Sequence, residues 1–298
     1  MSARRPEIAA LFLEVPSSRN KETHVGFESL PKVVRWKRGQ PRSRQTFNEF
    51  FVEIANLSWN LWVGWHEEDE EDEQTGGKML QRARTGGSRY AQLDERVAIQ
   101  LLTAATDTDL LPSLPNAYDG VGLFSAASRF GVAGGNVVPG SGIGSPNAIR
   151  SDFIEAIAVM HQMQDTEDEP FWTPEDLVYS NMLILFNPKD KLENVMDAFK
   201  ADMLPSNPLG SGPLTNLLAK GPPALYPTQR ISGDDLLVVN IGSDLRPLVK
   251  QNRRGLRMLD QRPENSDVAR DTKEIGVGWD DRRGFGIWEP RCAVQIDN

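Results

Sequence analysis

The sequence has a single cysteine, Cys292, and only three histidines, His24, His66 and His161, among its 298 residues. One cysteine excludes an internal disulfide framework and any cysteine-built zinc cage. Cys292 has no histidine or acid motif around it and reads as a small packed residue. The three histidines are scattered, and none completes a nucleophile–base or metal constellation. His161 reads as a helix-packing residue rather than a ligand. No apolar run approaches the roughly 20 residues of a membrane helix. The opening Met1-Ser2-Ala3-Arg4-Arg5-Pro6 is not followed by the apolar region of a signal peptide, so a cytosolic product with no membrane partner is expected. Positive charge is also short, with 33 Lys and Arg against 42 Asp and Glu, a formal net charge of −9. Domains built to grip nucleic acid usually carry the opposite sign.

What is present is a globular composition, 39% hydrophobic and 25% charged, in a chain long enough for two domains or one elaborated one. Twenty prolines and 25 glycines imply many turns and extended connections. The chain is organised around 59–105. Trp59, Leu61, Val63 and Trp65 fall on one face at period two, which predicts a strand. An acidic turn follows, with seven consecutive carboxylates: Glu67, Glu68, Asp69, Glu70, Glu71, Asp72 and Glu73. Leu80, Ala83, Gly87, Tyr90, Val97, Leu101 and Ala105 then recur at helical spacing, predicting one long helix over 78–105. Such a helix spans about 40 Å at 1.5 Å per residue, a strut rather than an ordinary globular helix.

Ahead of this strut, residues 1–31 show little periodicity beyond Ile8-Ala9-Ala10-Leu11-Phe12-Leu13. They read as an arm ordered by something else, or as a frayed terminus. Residues 32–58 read as a long two-stranded excursion, with 32–38 leading in, a turn at Gly39-Gln40-Pro41-Arg42-Ser43, and 46–54 leading back. Its tip carries Arg35, Lys37, Arg38, Arg42 and Arg44, five cations within ten positions, with Trp36 among them. A hairpin of this size is marginal alone. It is either a solvated charged loop or a finger that docks on an acidic patch of a neighbouring copy. The run Glu67–Glu73 supplies such a patch. It fits a solvated helix start, where the dipole tolerates negative charge, or a salt-bridged contact with a basic loop. Calcium or magnesium is a third alternative there, although alternating ligand spacing with a turn glycine is missing. Gly86 and Gly87 interrupt good helix formers at about 1 kcal/mol each. They mark either a close approach by another backbone or a place to bend.

Beyond the strut, the chain to Arg150 is irregular. The glycine loop at 134–146 has Gly-x-Gly-x-Gly spacing, but Pro139 and Pro146 bracket it, and a nucleotide motif should follow a buried strand and carry Gly-Lys-Ser/Thr or a downstream acid, so no nucleotide or other cofactor is expected. Residues 151–262 read as a separate α/β unit. Asp152 and Glu155 form a capping box for a helix, and Met182–Phe186 and Leu236–Val239 are buried strands. Asn187-Pro188 starts a second helix, and Leu245–Val249 is a third strand. The tail, 263–298, reads as strand, turn at Asp280-Asp281-Arg282-Arg283, and strand.

The ordered series resembles the Mu-like major head subunit (gpT) family of tailed-phage capsid proteins. It comprises the basic hairpin, tryptophan-rich strand, acidic turn and long helix, then Tyr118-Asp119-Gly120-Val121, the α/β unit, Arg246-Pro247-Leu248-Val249-Lys250-Gln251-Asn252-Arg253, and Gly276–Gly286. It covers roughly Phe27 to Ile296. The resemblance implies an α+β protein of the Hong Kong 97-type capsid fold. Its parts would be an N-terminal arm (1–31), an extended loop (32–58), a peripheral domain (59–150) with its spine helix, an axial α/β domain (151–262), and C-terminal strands returning to the peripheral domain (263–298). It implies a structural, non-enzymatic shell subunit that assembles as pentamers and hexamers with its own copies. A separate scaffolding protein and a portal would assist, and packaged DNA would be touched only non-specifically, as the acidic balance suits. Gly86 and Gly87 would be the hinge of a spine that changes its bend. The competing expectations are a nanocompartment shell enclosing a protein cargo, and an unrelated enzyme using the glycine loop and His161.

Overall fold

The structure, a computed structural model, describes residues 6–29, 35–36, 38–41, 48–72, 77–105, 107–189, 191–201, 203–204, 214–262 and 266–298. A short helix α1 (Pro6–Ala9) precedes strands β1 (Phe12–Pro16), β2 (Lys21–Phe27), β3 (Glu49–Ala55) and β4 (Leu57–His66). Helices α2 (Glu67–Glu71), α3 (Lys78–Ala91) and α4 (Leu93–Thr103) follow. Then come β5 (Val137–Pro139), α5 (Pro146–Gln162), β6 (Met182–Phe186) and α6 (Leu192–Lys200). Strands β7 (Met203–Leu204) and β8 (Leu214–Thr215) pair with each other. The rest comprises β9 (Ala224–Pro227), β10 (Leu236–Asn240), β11 (Leu248–Gln261), α7 (Asp267–Thr272), β12 (Glu274–Ile287) and β13 (Ala293–Asp297).

Two sheets carry the body. The first has the order β1-β11-β12-β4, and the second β5-β13-β10-β6-β9. In β4 the expected alternation is realised: Trp59 and Trp65 are buried and Leu61 and Val63 half-buried, while Trp62 and Asn60 face outward. α3 and α4 cover that inner face, with Tyr90, Val97, Ala98, Leu101 and Leu102 in the same core as Trp59, Trp279 and Phe285. Strands β6 and β10 are buried at every position, as strands covered on both faces must be. Their alternate residues serve two cores. Leu183, Leu185, Leu237 and Val239 join the core under α4, while Ile184, Phe186, Leu236 and Val238 join the one under α5 and α6.

Several sequence expectations change against this topology. The strand returning along Glu49–Ala55 pairs with Lys21–Phe27, a stretch expected to belong to the arm. Of 32–38, the described Arg35, Trp36 and Arg38 lie in no strand, and Lys32–Val34 and Lys37 lie outside the described residues. The arm is not ordered by another molecule over 12–16. β1 extends the chain's own sheet, parallel to β11, and Ile8, Leu11 and Phe12 reach its core. The single helix expected over 78–105 is two helices separated at Gln92.

In the second half, α5 starts earlier than the expected capping box. Ser145 caps it by accepting from the Ala148 N–H at 3.2 Å, with Pro146 at the first helical position. Asp152 is instead buried within the helix, accepting from the backbone N–H of Ser141 at 2.8 Å and its hydroxyl at 2.7 Å. The expected third strand of the axial unit starts the long β11, which belongs to the first sheet. β12 runs unbroken through Asp280–Arg283, where a turn was expected. Its charges are matched: Asp280 accepts from Arg254 and Arg257 of the neighbouring β11, and Arg283 pairs with Asp281 of its own strand and with Asp94 of α4. The last strand, β13, joins the second sheet beside β10, so 263–298 divides between both sheets. His161 is exposed at the end of α5. Cys292 is buried, and that burial pushes its thiol pKa well up.

Candidate assembly surfaces

The β2–β3 hairpin has two unlike faces. Phe50, Val52 and Ile54 alternate inward and pack on Val249 and Trp288. The Phe50 ring stacks on Tyr118 with centroids 4.0 Å apart, and lies 5.4 Å from Trp288. Polar contacts fix the same root. Gln251 Nε2 donates to Ile54 O at 3.0 Å, leaving its Oε1 to accept from His24 Nε2 at 2.8 Å. Asn56 Nδ2 donates to Ser17 Oγ and Arg19 O, both at 2.7 Å. Glu22 accepts from the backbone N–H groups of Ser18 at 2.6 Å and Arg19 at 2.9 Å, which lowers its pKa to about 2.

Further out, Arg291 locks the hairpin to the rest of the chain. Its guanidinium, buried with Glu289, donates to that carboxylate at 2.7 and 2.9 Å and to Glu28 O at 3.2 Å, and lies 3.7 Å from the centre of the Phe171 ring. Such a group is tolerable in a low-dielectric interior only because it is paired and bonded in full.

The other face of the hairpin is not covered by any of the described residues, and carries an apolar strip beside the charges Lys21, Glu49 and Glu53. Val25 and Phe51 sit opposite each other in the register and Phe27 lies two positions on. They are 47%, 61% and 54% exposed. A second exposed apolar strip lies on β11, at Leu256, Met258 and Leu259, past the Pro16–Asn252 pair where the β1 ladder ends. Sequence reasoning missed both strips. The first was signalled by the strict alternation of Glu49–Ala55, which sends Phe51 to the face opposite Phe50 and Val52.

Of the basic tip, Arg35, Trp36 and Arg38 are exposed, with Trp36 Nε1 donating to Gln40 O at 2.8 Å. Lys37, Arg42 and Arg44 lie outside the described residues. The acidic turn is a helical turn: His66 caps α2 through Nδ1, which accepts from the Glu68 N–H at 3.4 Å. Two of its acids have cationic partners on the α7 connection, Glu68 with Lys273 Nζ at 2.9 Å and Glu70 with Arg262 at 3.8 Å. Lys273 holds the Glu68 carboxyl below its usual range. Glu68, Asp69, Glu71 and Asp72 are exposed and Glu67 and Glu70 half-buried; Glu73 lies outside the described residues. Among the described residues, no ion pair joins the basic tip to α2 within one chain.

Gly86 and Gly87 lie inside the unbroken α3. A Cβ on Gly86 would meet Val63 Cγ2 at 2.7 Å and Trp279 Cζ3 at 2.9 Å, and one on Gly87 would meet Trp279 Cζ2 at 3.2 Å. Of the two expectations for the pair, close approach is what the geometry displays, by side chains of the sheet rather than by a backbone. Among the described residues, no group of three His, Cys, Asp or Glu could hold a metal, and no helix is long and apolar enough to cross a membrane.

No protein-family model and no curated protein matches this sequence. Solved structures do match, and they have the Hong Kong 97-type capsid fold, the architecture of this chain. The capsid of cyanophage P-SCSP1u is 13% identical, with a TM-score of 0.58 over 96% of this chain and 86% of that one. The capsid of an empty GTA particle is 11% identical, with a TM-score of 0.59 over 97% and 88%. The mature capsid of bacteriophage PhiM1 is 11% identical, with a TM-score of 0.56 over 96% and 84%. At these identities the likeness is one of fold.

Proposed function

We propose that this chain is the major head subunit of a tailed bacteriophage, a structural protein that assembles with copies of itself into an icosahedral shell around DNA. The observation that carries the reading is the match of nearly the whole chain, 96–97%, to capsid subunits. That the structures named above are capsids, two of them of phages, favours this reading over a compartment for protein cargo. Kinship with the Mu-like head subunits is the finer form of the proposal, supported by the ordered sequence series. In this reading the β2–β3 hairpin and the basic tip beyond it are the extended loop. The first sheet with α3 and α4 is the peripheral domain, and the second sheet with α5 and α6 the axial domain at the five- and six-fold axes. The product resides in the virion. Scaffolding protein and portal are separate partners, and the net charge of −9 suits a wall that does not hold its DNA.

The basic tip docks on the acidic helix of a neighbouring copy, where charge sets register more than affinity, and many weak contacts sum over the shell. Two measurements test this. Negative-stain microscopy of the protein expressed with candidate scaffold should display closed particles; a chain that stays monomeric under every such condition refutes the shell reading. Arg38→Glu with Arg42→Glu should leave a folded monomer that forms no particles; normal particles from that variant would refute the docking of tip on acid and leave the shell reading intact.

A further inference from the structure

Charge is placed unevenly along this chain. Acids outnumber cations 42 to 33 overall, yet no Asp or Glu stands between Glu73 and Asp94. The same stretch carries Lys78, Arg82, Arg84 and Arg89, all within α3. Helix geometry keeps these four off the packed side. Met79, Gly86 and Tyr90 are buried, with Val63 and Trp279 of the first sheet against Gly86. At 3.6 residues per turn, Lys78, Arg82, Thr85 and Arg89 fall in one row on the outward side. Arg84 lies on the other flank of that side, across Gln81 and Ser88. All seven side chains are exposed.

Carboxylates do not take up this charge. Among the described residues, no ion pair joins Arg82, Arg84 or Arg89 to an Asp or Glu. Arg82 Nη1 lies 3.7 Å from Met79 Sδ. Elsewhere the arginines are matched: Arg96 meets Asp107, Arg129 meets Asp119, Arg257 meets Asp280 and Arg291 meets Glu289. Lys78 is nearest in the chain to the acids of α2, so the case rests on the three arginines. Like charges along one helix face repel, and a partner of opposite sign relieves that cost.

The chemistry of the face selects the partner. Gln81 and Ser88 stand between the cations as neutral donors, while the Thr85 hydroxyl donates back to Gln81 O at 2.9 Å. Leu80, the large apolar residue exposed on α3, lies on the Arg84 flank, outside the row. Protein interfaces centre on aromatic or apolar anchors, whereas phosphate backbones are held by Arg and Lys with Ser, Thr and Gln. Lys78 to Arg89 covers about 16 Å of helix. Each DNA strand carries one phosphate per about 3.4 Å of axis, so every cation of the row has one within reach.

We propose that the outward face of α3 is a contact strip for the phosphate backbone of duplex DNA, formed by Arg82, Arg84 and Arg89 with Gln81 and Ser88 between them. The contact is blind to base sequence, and its few charges release readily in salt. The acidic balance of the whole chain keeps the wall from gripping the duplex, and this strip fixes where on each copy the two touch. That the duplex is a packaged genome rests on the shell reading; the preference of the strip for phosphate does not.

The probe is a duplex of random sequence added to the whole chain. Its binding is read by the backbone amide shifts of Lys78–Ala91 and by the anisotropy of a labelled duplex. The α3 amides should move in about 50 mM salt, and affinity should fall about 40-fold by about 200 mM, as three phosphate contacts require. Arg82→Gln, Arg84→Gln and Arg89→Gln together should lose both the shifts and the salt dependence, with circular dichroism unaltered. Arg82→Lys, Arg84→Lys and Arg89→Lys should keep both, because a point charge serves a phosphate. Arg254→Gln with Arg257→Gln, exposed arginines that share Asp280, should bind as the parent does. Undiminished binding by the triple Gln variant would overturn the proposal, as would binding lost instead by Arg38→Glu with Arg42→Glu at the basic tip. Poly-glutamate of equal charge that moves the α3 amides as far as the duplex does would also overturn it, since the partner would then be an acidic protein. Shells from a parent with no duplex response on α3 would defeat this inference alone. A parent that binds duplex on α3 and never forms shells would defeat the shell reading alone.

Discussion

At the scale of single residues, Gly86 and Gly87 give opposite expectations despite being neighbours. Gly86→Ala drives a methyl into Val63 and Trp279 at under 3.0 Å, and overpacking of this kind costs about 1–3 kcal/mol. Gly87→Ala meets the Trp279 ring at 3.2 Å, a contact a small ring shift relieves. The helix gains about 1 kcal/mol from alanine over glycine, so the net change should be near zero. Urea denaturation of the two variants separates them, and equal losses would contradict the packing argument.

Glu22 gives a pH dependence with a definite sign. Its ordinary pKa of 4.5 is lowered to about 2 by the backbone N–H groups of Ser18 and Arg19. A group whose folded pKa is depressed contributes stability that is fully present above its unfolded pKa and lost as pH falls through the folded one. The turn joining β1 to β2 should therefore hold above pH 4.5 and loosen progressively toward pH 2. The Ser18 and Arg19 amide resonances should follow that titration, and Glu22→Gln should abolish it. Amides insensitive to pH in the parent would contradict the bond assignment.

At the scale of elements, the hairpin is a rigid lever at its root. Phe50→Ala removes the ring held between Tyr118 and Trp288, at a cost of about 3–5 kcal/mol for a buried phenylalanine. Hydrogen exchange should speed up across Lys21–Phe27 and Glu49–Ala55 while α5, in a different core, keeps its protection. Phe51 is next in sequence and points the other way. Phe51→Ser should alter the stability of the isolated chain by no more than about 0.5 kcal/mol, yet slow particle formation measured by light scattering. Unchanged assembly kinetics would mean that the uncovered face meets nothing.

The strut also belongs to this scale. A reading by propensity puts its weak point at the glycines, because each local sequence is judged alone. The helix is interrupted at Gln92, between good helix formers, where ion pairs from two sheets meet. Intrinsic preference amounts to no more than about 1 kcal/mol per residue, a margin that tertiary contacts of this kind can exceed.

At the scale of the whole molecule, the sheet at the centre acts as a wall between two cores, with β6 and β10 serving one on each face. β12, the longest run of the tail, ties β4 to β11, and β13 then crosses to the second sheet. The C-terminal segment thus stitches both halves into one body. Two exposed apolar strips, on the hairpin and on β11, remain on its outside, apolar surface of the kind that contacts between copies would bury in the proposed shell.

The alternation around Trp59, the wholly apolar Met182–Phe186 and Leu236–Val239, and the helical recurrence of Tyr90, Val97 and Leu101 are local patterns, although Leu80, expected on the same stripe, is exposed. Each burial preference is written into neighbouring residues, so those elements could be read directly, and the fold class came from the order in which they follow one another. The partner of Glu49–Ala55, the unbroken course of β12 through Asp280–Arg283, the separate destinations of β11 and β13, and the break at Gln92 could not be read that way. Each depends on contacts between residues far apart in the chain, and an aspartate or arginine looks like a turn residue until the opposite charge that neutralises it is in place.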